Sequence, residues 1–316
     1  MTSLSAVFKA YDVRGTVPEQ LDATSLRAIG EGFGLFVKRA GGERVVVGRD
    51  MRSSGIELSA AFVDGVTSVG LSVTDVGLAS TDLLYFASGH LDAAGAMLTA
   101  SHNPAQYNGV KMCLAGARPI GQESGLAEIR ELAEAALERG TSGEGAGTGD
   151  SRGSVRSADL LAEFAAHVHS FVDVAKLQPL KIVADTANGM GGLIVPEVFG
   201  GLPFEIEILY PELDGTFPNH PADPIQPENQ RALRARVLET GADVGLAFDG
   251  DADRVFLVDE KAVGLSGSLT TAIVAKSMLA KNPGSTVLHN LICSKAVPEV
   301  IIESGGRPVR TRVGHS

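Results

Sequence analysis

The sequence alternates between short apolar runs and longer stretches whose apolar residues recur at helical spacing. Runs such as 44–48 and 181–185 predict buried strands, because a strand covered on both faces needs no polar side. Stretches such as 23–40 place apolar residues three and four positions apart, which predicts amphipathic helices. The predicted helices are 23–40, 56–69, 125–138, 158–174, 229–240, 265–281 and 294–304, with a further helix after Gly192. The predicted strands are 44–48, 71–76, 95–99, 181–185, 204–209, 242–248, 255–258, 285–290 and 308–312.

This alternation runs through three cycles, which indicates tandem α/β domains built on mixed sheets. Six glycines fall within the 14 positions of 140–153, where no apolar periodicity remains, so we predict a linker there. We expect a first domain over 1–140, a linker over 141–156, a second domain over 157–259 and an incomplete third domain over 260–316.

Composition narrows the range of functions. The chain has 316 residues and a formal net charge of −11, which disfavours nucleic acid and anionic membranes as partners. No stretch approaches the roughly 20 apolar residues of a membrane span, and the first 15 residues lack the apolar core of a secretory signal. Cys113 and Cys293 lie far apart in the sequence, so we expect reduced thiols in a cytoplasmic protein. The oligomeric state stays open.

An acidic loop follows the predicted strand 242–248 and reads Asp249-Gly-Asp-Ala-Asp-Arg254. Three carboxylates at alternate positions suit a hard divalent cation, which prefers oxygen ligands. An EF-hand is excluded because strands flank the loop on both sides. A solvated acidic turn is the alternative, but an apolar strand that delivers three aspartates to one point favours a cation. Arg254 is expected to pair with an aspartate or with a substrate phosphate.

A serine stands just beyond the predicted strand 95–99, in Leu98-Thr-Ala-Ser-His-Asn-Pro104. Open α/β sheets place ligands and reacting groups at this end of a strand. The segment lacks the Gly-x-Ser-x-Gly turn of hydrolases, which argues against an esterase. Taken alone, Ser101 is as readily a helix cap, and Lys111 a solvent-facing lysine on a strand.

Taken together, six segments resemble the α-D-phosphohexomutase superfamily, and in particular its bacterial phosphomannomutase/phosphoglucomutase branch. Their order and spacing match that family along the whole chain. The segments are Lys9-Ala-Tyr-Asp-Val-Arg-Gly15, Thr99-Ala-Ser-His-Asn-Pro104, Asn108-Gly-Val-Lys-Met112, Asp185-Thr-Ala-Asn-Gly189, Gly215-Thr-Phe-Pro-Asn-His-Pro221 and Asp249-Gly-Asp-Ala-Asp-Arg254.

The resemblance implies a phosphohexomutase that interconverts hexose 1-phosphate and 6-phosphate, with mannose or glucose as the sugar. Ser101 would carry the phosphoryl group as a phosphoserine, and a hexose 1,6-bisphosphate would be the intermediate and activator. Mg²⁺ would be held by the three aspartates and by an oxygen of phosphorylated Ser101. His102 and Lys111 would be catalytic, with Lys111 or a nearby histidine as proton shuttle and the lysine pKa lowered by neighbouring cations. The implied substrate contacts are Tyr11, Arg14, Asn103, Arg254 and His315.

The sequence departs from the family pattern near its end. The Gly-Glu-x-Ser-Gly-His sugar loop and the Arg-x-Ser-Gly-Thr phosphate loop are absent, and Ile292 stands where some members carry a lysine. We therefore expect the N-terminal portion of a longer mutase, which can be phosphorylated and bind Mg²⁺ but turns over hexose phosphates poorly.

Three other functions stay open at this point. The first is another branch of the superfamily, a phosphoglucosamine or phosphoacetylglucosamine mutase. The second is a phosphatase of the haloacid dehalogenase type, although its catalytic acids normally follow the first strand of the domain. The third is a non-catalytic fragment that binds a metal or a sugar phosphate.

Overall fold

A computed structural model describes residues 4–142 and 152–313. Helices and strands alternate along both ranges, and the prediction of tandem α/β domains with mixed sheets is confirmed. The helices are α1 (Ala23–Arg39), α2 (Gly55–Ser68), α3 (Thr81–His90), α4 (Ala127–Ser142), α5 (Leu161–His169), α6 (Gly191–Phe199), α7 (Arg231–Thr240), α8 (Gly267–Lys281) and α9 (Ala296–Glu303). The strands are β1 (Val13–Thr16), β2 (Arg44–Arg49), β3 (Ser72–Leu78), β4 (Ala94–Leu98), β5 (Tyr107–Leu114), β6 (Arg118–Pro119), β7 (Val155–Ser157), β8 (Leu180–Asp185), β9 (Phe204–Leu209), β10 (Val244–Phe248), β11 (Val255–Asp259), β12 (Thr286–Asn290) and β13 (Arg307–Thr311).

The first sheet has the strand order β1-β5-β4-β2-β3-β7, with β6 beside β5. Strands β2, β3 and β4 run parallel, whereas β5 is antiparallel to both β4 and β1. Because the carboxyl ends of parallel strands meet at one edge, the residues that follow β2, β3 and β4 are brought together. These residues include Arg52, Thr81 and Ser101.

Helices cover both faces of this sheet. On one face, α1, α2 and α4 bury a core that includes Phe33 and Phe62, both fully inaccessible to solvent. On the other face, α3 packs with α5 and α6 around Leu84 and Phe164. Since α5 and α6 follow the first domain in the chain, this second core joins the first two domains.

The second sheet has the order β11-β10-β8-β9, in which β8 is parallel to both β9 and β10. Strands β10 and β11 form an antiparallel pair in which Phe248 lies opposite Val255. The six residues 249–254 connect these two strands and are called the aspartate loop below. The third unit is the parallel pair β12-β13 packed with α8 and α9 around a small core of Leu279, Val297 and Ile301.

The predicted helices and strands omit several elements of the structure, among them α3 and β7. Helix α3 lies where no element was predicted, because its polar and apolar residues are mixed and leave no clear helical periodicity. Strand β7 pairs with β3 at the end of the segment predicted as a linker, through only three exposed residues. No helix within 4–142 or 152–313 combines the length and apolar character needed to cross a membrane.

Candidate active site

The three carboxylates of the aspartate loop converge on one point. An oxygen from each of Asp249, Asp251 and Asp253 lies within 4.8 Å of the other two. Asp249 and Asp251 are fully buried, and Asp253 is partly exposed. Buried carboxylates at this separation repel each other, so such a cluster requires positive charge nearby.

Two cations of the chain supply that charge. The Nζ atom of Lys111 donates to Asp251 at 2.8 Å and to Asp253 at 2.6 Å. The Nε atom of Arg254 donates to Asp249 at 2.9 Å. Lys111 lies on β5 of the first domain, so the aspartate loop of the second domain is held by a charge from the first.

These contacts set the protonation of the cluster. Burial alone would raise the pKa of Asp251, but the Lys111 charge and its hydrogen bond hold that pKa well below its usual range. The pKa of Asp249 is raised by burial and by the charges of Asp251 and Asp253. Burial opposes the charge of Lys111, yet the two aspartates raise its pKa above the ordinary value. The expected lowering of the Lys111 pKa is therefore wrong, because its neighbours are anions rather than cations.

Ser101 lies directly against this cluster, in the segment 99–106 that we call the Ser101 loop. Its Oγ donates to Oδ2 of Asp249 at 2.7 Å, across 148 residues of sequence. The serine is 4 % exposed and has a φ of 50°, in the left-handed region that few non-glycine residues adopt. A hydrogen bond from its amide to Oγ1 of Thr99, at 2.8 Å, supports this turn.

His102 and Arg254 complete the surroundings of the Ser101 hydroxyl. The Nδ1 atom of His102 lies 3.4 Å from Ser101 Oγ, and Nη2 of Arg254 contacts both Ser101 Oγ and His102 Nδ1. Burial, reinforced by the Arg254 charge, lowers the pKa of His102. The lowered pKa favours the neutral imidazole, whose Nδ1 accepts a hydrogen bond from Nη2 of Arg254.

A feature of Asp251 indicates that the aspartate loop is suited to bind a metal ion. Oδ1 of Asp251 is buried and has no hydrogen-bond partner in the described part of the chain, although a buried carboxylate oxygen normally has one. The donor set is made only of carboxylate oxygens, which fits a hard divalent cation. Thr81 adds a supporting hydrogen bond of 2.6 Å to the other oxygen of Asp251.

Arg14 and Asn103 meet at the Ser101 loop. Nη1 of Arg14 donates to the carbonyl of Ala100 at 3.0 Å and to Oδ1 of Asn103 at 2.5 Å. Tyr11 instead donates from its hydroxyl to the carbonyl of Val313 at 3.0 Å. His315 lies outside the described residues.

The sequence patterns did not indicate Thr81 or Arg52 as site residues. Arg52 is almost completely buried beside the Ser101 loop. In the sequence it belongs to the charged run Arg49-Asp-Met-Arg52, which begins at the last residue of β2. A run of charged residues normally lies on a solvated surface. It indicates a site only when the position of β2 in the sheet is known. Thr81 gave no signal.

The fold, and the meeting of a serine with an aspartate loop between two α/β domains, agree with the phosphohexomutase class expected from the sequence. The family models described as phosphoglucomutase/phosphomannomutase, alpha/beta/alpha domains I, II and III match residues 5–139, 162–264 and 266–316. The chain belongs to this phosphoglucomutase/phosphomannomutase family, and the predicted superfamily is confirmed. Its function is accordingly that of a phosphohexomutase, an isomerase that transfers a phosphoryl group.

Individual relatives agree with the family assignment. The chain is 36 % identical to a phosphomannomutase of Salmonella montevideo, over 98 % of this chain and 67 % of that one. It is 37 % identical to a phosphomannomutase/phosphoglucomutase of Pseudomonas aeruginosa, over 99 % of this chain and 65 % of the relative. A crystal structure of a family protein from Burkholderia thailandensis superposes with a TM-score of 0.88 at 32 % identity, covering 100 % of this chain and 67 % of that one. The chain thus spans about two thirds of the length of these relatives.

Proposed function

We propose that Ser101 is the phosphoryl carrier of a phosphomannomutase/phosphoglucomutase and that this chain holds the phosphoryl-transfer half of the site. The observation that carries the proposal is the 2.7 Å hydrogen bond from Ser101 Oγ to Asp249, which places a hydroxyl on a cluster of three carboxylates. Phosphoryl transfer depends mainly on positioning and on neutralisation of charge, and both are provided here by the chain's own side chains.

The proposed reaction begins with phosphorylated Ser101. A hydroxyl oxygen of a hexose monophosphate attacks the phosphorus, the bond from phosphorus to Ser101 Oγ breaks, and a hexose 1,6-bisphosphate forms. The proton of the attacking hydroxyl is returned to Ser101 Oγ, and the His102 ring nitrogen at 3.4 Å is placed to hold it in transit. The bisphosphate reorients and the reverse step moves its other phosphoryl group to Ser101, which leaves the isomeric monophosphate.

Arg254 and Lys111 have separate parts in this proposal. Arg254 contacts Ser101 Oγ through Nη2, so it is placed to bind the oxygens of a phosphoryl group there. Lys111 holds Asp251 and Asp253 in place with its charge. Arg14 supports the Ser101 loop through its hydrogen bonds to the Ala100 carbonyl and to Oδ1 of Asn103.

Asp249, Asp251 and Asp253, together with an oxygen of phosphorylated Ser101, would hold Mg²⁺. When bound, the ion would supply positive charge to the phosphoryl group as a Lewis acid.

The proposed ligands are hexose phosphates, with mannose and glucose favoured by the names of the two curated relatives. A hexose 1,6-bisphosphate is proposed as intermediate and activator. The two cysteines are free, which supports the proposed cytoplasmic location.

The test is phosphorylation of the purified chain by glucose 1,6-bisphosphate in the presence of Mg²⁺, followed by intact mass and phosphopeptide mapping. We expect one phosphoryl group per chain, none in Ser101→Ala, and an unchanged result in the control Ser59→Ala. Ser59 is suitable because it lies on α2, where its hydroxyl only donates to the Ile56 carbonyl. Incorporation that persists in Ser101→Ala would refute the assignment of the carrier.

A further inference from the structure

Arg52 is a buried cation that the proposed chemistry does not use. It is 1 % exposed and follows β2, and its charge is balanced by the fully buried Asp50, whose Oδ2 lies 3.2 Å from Arg52 Nε. Long cationic side chains are seldom buried this completely unless every polar hydrogen is satisfied. The contacts of its guanidinium therefore indicate why it is there.

All five N–H groups of the guanidinium have an acceptor, and four of them are directed at a single stretch of backbone. Nη2 donates to the carbonyl oxygens of Ser101 at 2.9 Å and Asn103 at 2.6 Å. Nη1 donates to those of Pro104 at 2.7 Å and Tyr107 at 3.0 Å. These four bonds hold residues 101–107, the segment that leads from the end of β4 into β5.

The bond to the Ser101 carbonyl has a particular consequence. Ser101 adopts a left-handed φ of 50°, a conformation that is unfavourable for an L-residue and must be stabilised by its surroundings. By fixing the carbonyl oxygen of this residue, Arg52 fixes the peptide plane and with it the direction of the Ser101 side chain. With its five N–H groups occupied, the guanidinium is not available to the aspartates or to a phosphoryl group.

Arg52 also touches the second domain. Its Cζ atom lies 5.1 Å from the centroid of the Phe217 ring, in a cation–π contact. The backbone of Gly215 comes so close that an added Cβ would lie 2.6 Å from Arg52 Cα. Arg52 thus contacts the Ser101 loop of one domain and the 215–217 segment of the next, with its guanidinium between the loop and Phe217.

From these contacts we infer that Arg52 is a positioning residue for phosphoryl transfer, which holds the Ser101 loop in its reactive conformation and ties it to the second domain through Phe217. The inference rests on the proposed role of Ser101 as the phosphoryl carrier. It predicts that loss of the guanidinium slows transfer to Ser101 without weakening the binding of metal or sugar phosphate.

The test compares Arg52→Lys with the control Arg49→Lys. The lysine keeps the positive charge but offers three N–H groups from one point instead of five from a planar fork. We expect the single-turnover rate of Ser101 phosphorylation at saturating glucose 1,6-bisphosphate to fall about 100-fold in Arg52→Lys, the size expected for a misplacement near 1 Å. The half-saturating concentration and the dissociation constant for Mn²⁺ should stay at the wild-type values, and Arg49→Lys should match the wild type throughout.

Phe217→Leu provides a second variant that removes the cation–π contact but keeps an apolar side chain. Its transfer rate should lie between those of the wild type and Arg52→Lys. A wild-type rate in Arg52→Lys would overturn the inference. So would a parallel loss of rate, Mn²⁺ affinity and half-saturation, since that result indicates a general structural role.

Hydrogen–deuterium exchange separates this inference from the proposed function. Backbone amides of residues 99–107 should exchange faster in Arg52→Lys than in the wild type and in Arg49→Lys. If the wild-type chain is not phosphorylated, the proposed function fails, and exchange still tests whether Arg52 holds the loop. Equal exchange in all three proteins would overturn the inference on its own.

Discussion

At the scale of single residues, the site depends on how its charges are paired. Lys111 bridges Asp251 and Asp253, and Arg254 pairs with Asp249, so the chain itself offsets the repulsion among the three carboxylates. Lys111 is 9 % exposed and Asp251 is fully buried, which makes this contact stronger than an ion pair at the surface.

Replacement of Lys111 by Met tests this pairing. The variant keeps most of the apolar stem but leaves Asp251 buried without its cation, so we expect the free energy of unfolding in metal-free buffer to fall by about 3–5 kcal/mol. Added Mg²⁺ should restore much of the loss, because an ion that binds only the folded state stabilises it by mass action. Urea denaturation followed by circular dichroism, with and without Mg²⁺, measures both effects.

The control for this prediction is Lys261→Met. Lys261 is 77 % exposed and follows β11, close in sequence to the same loop. It should change stability little in either buffer. Equal stability of Lys111→Met and the wild type, with the same response to Mg²⁺, would show that Lys111 is not the charge that holds the cluster.

At the scale of elements, α1 and α2 pack closely against each other because small residues lie between them. The two helices approach so closely that an added Cβ on Gly65 would lie 2.0 Å from the Arg27 carbonyl oxygen. A capping box in which Asp22 accepts from the Ser25 amide and Ser25 accepts from the Asp22 amide fixes the start of α1. This packing explains part of the high glycine content of the sequence, which contains 38 glycines.

Gly65→Ala should therefore destabilise the protein by about 1–3 kcal/mol, the usual cost of overpacking a tight contact. The matched control is Gly89→Ala on α3, where an added Cβ meets nothing within 4 Å. That substitution should stabilise the protein by about 0.4–1 kcal/mol, since alanine loses less backbone entropy than glycine on folding. Urea denaturation measures the free energy of unfolding of both variants. A change in the same direction in both would contradict the packing argument.

At the scale of the whole molecule, the site exists only where the first two domains meet. The backbone of Gly250, in the second domain, lies against the Ser101 carbonyl, where an added Cβ would be 2.4 Å from that oxygen. The core shared by α3, α5 and α6 joins the same two domains.

Gly250→Ala should force the aspartate loop and the Ser101 loop apart. We expect the rate of Ser101 phosphorylation by glucose 1,6-bisphosphate to fall about 100-fold, because a shift near 1 Å is enough to disturb the transfer geometry. Gly267→Ala at the start of α8 is the control, since an added Cβ there has nothing within 4 Å. A Gly250→Ala protein that is phosphorylated at the wild-type rate would show that the contact does not position the site.

Local elements and the chemistry carried by short motifs can be predicted from the amino-acid sequence alone. Strands β8 and β9 were predicted almost to the residue, because the apolar run of β8 and the alternation of apolar and polar residues in β9 each show the environment of the strand. The aspartate loop and Ser101 were recognisable because polar residues that follow an apolar strand stand out against it. The family follows from the same segments and is confirmed by the family models.

Which charges meet depends on the three-dimensional arrangement of the strands and domains. Lys111 reaches Asp251 across 140 residues and Arg52 reaches the Ser101 carbonyl across 49, and neither separation leaves a periodic signal in the sequence. For this reason the pKa of Lys111 was predicted in the wrong direction, and Thr81 and Arg52 were not predicted as site residues. The physical reason is that the hydrophobic pattern of a sequence shows only which residues are buried. The pairing of buried charges depends instead on the order of the strands and on the contact between domains.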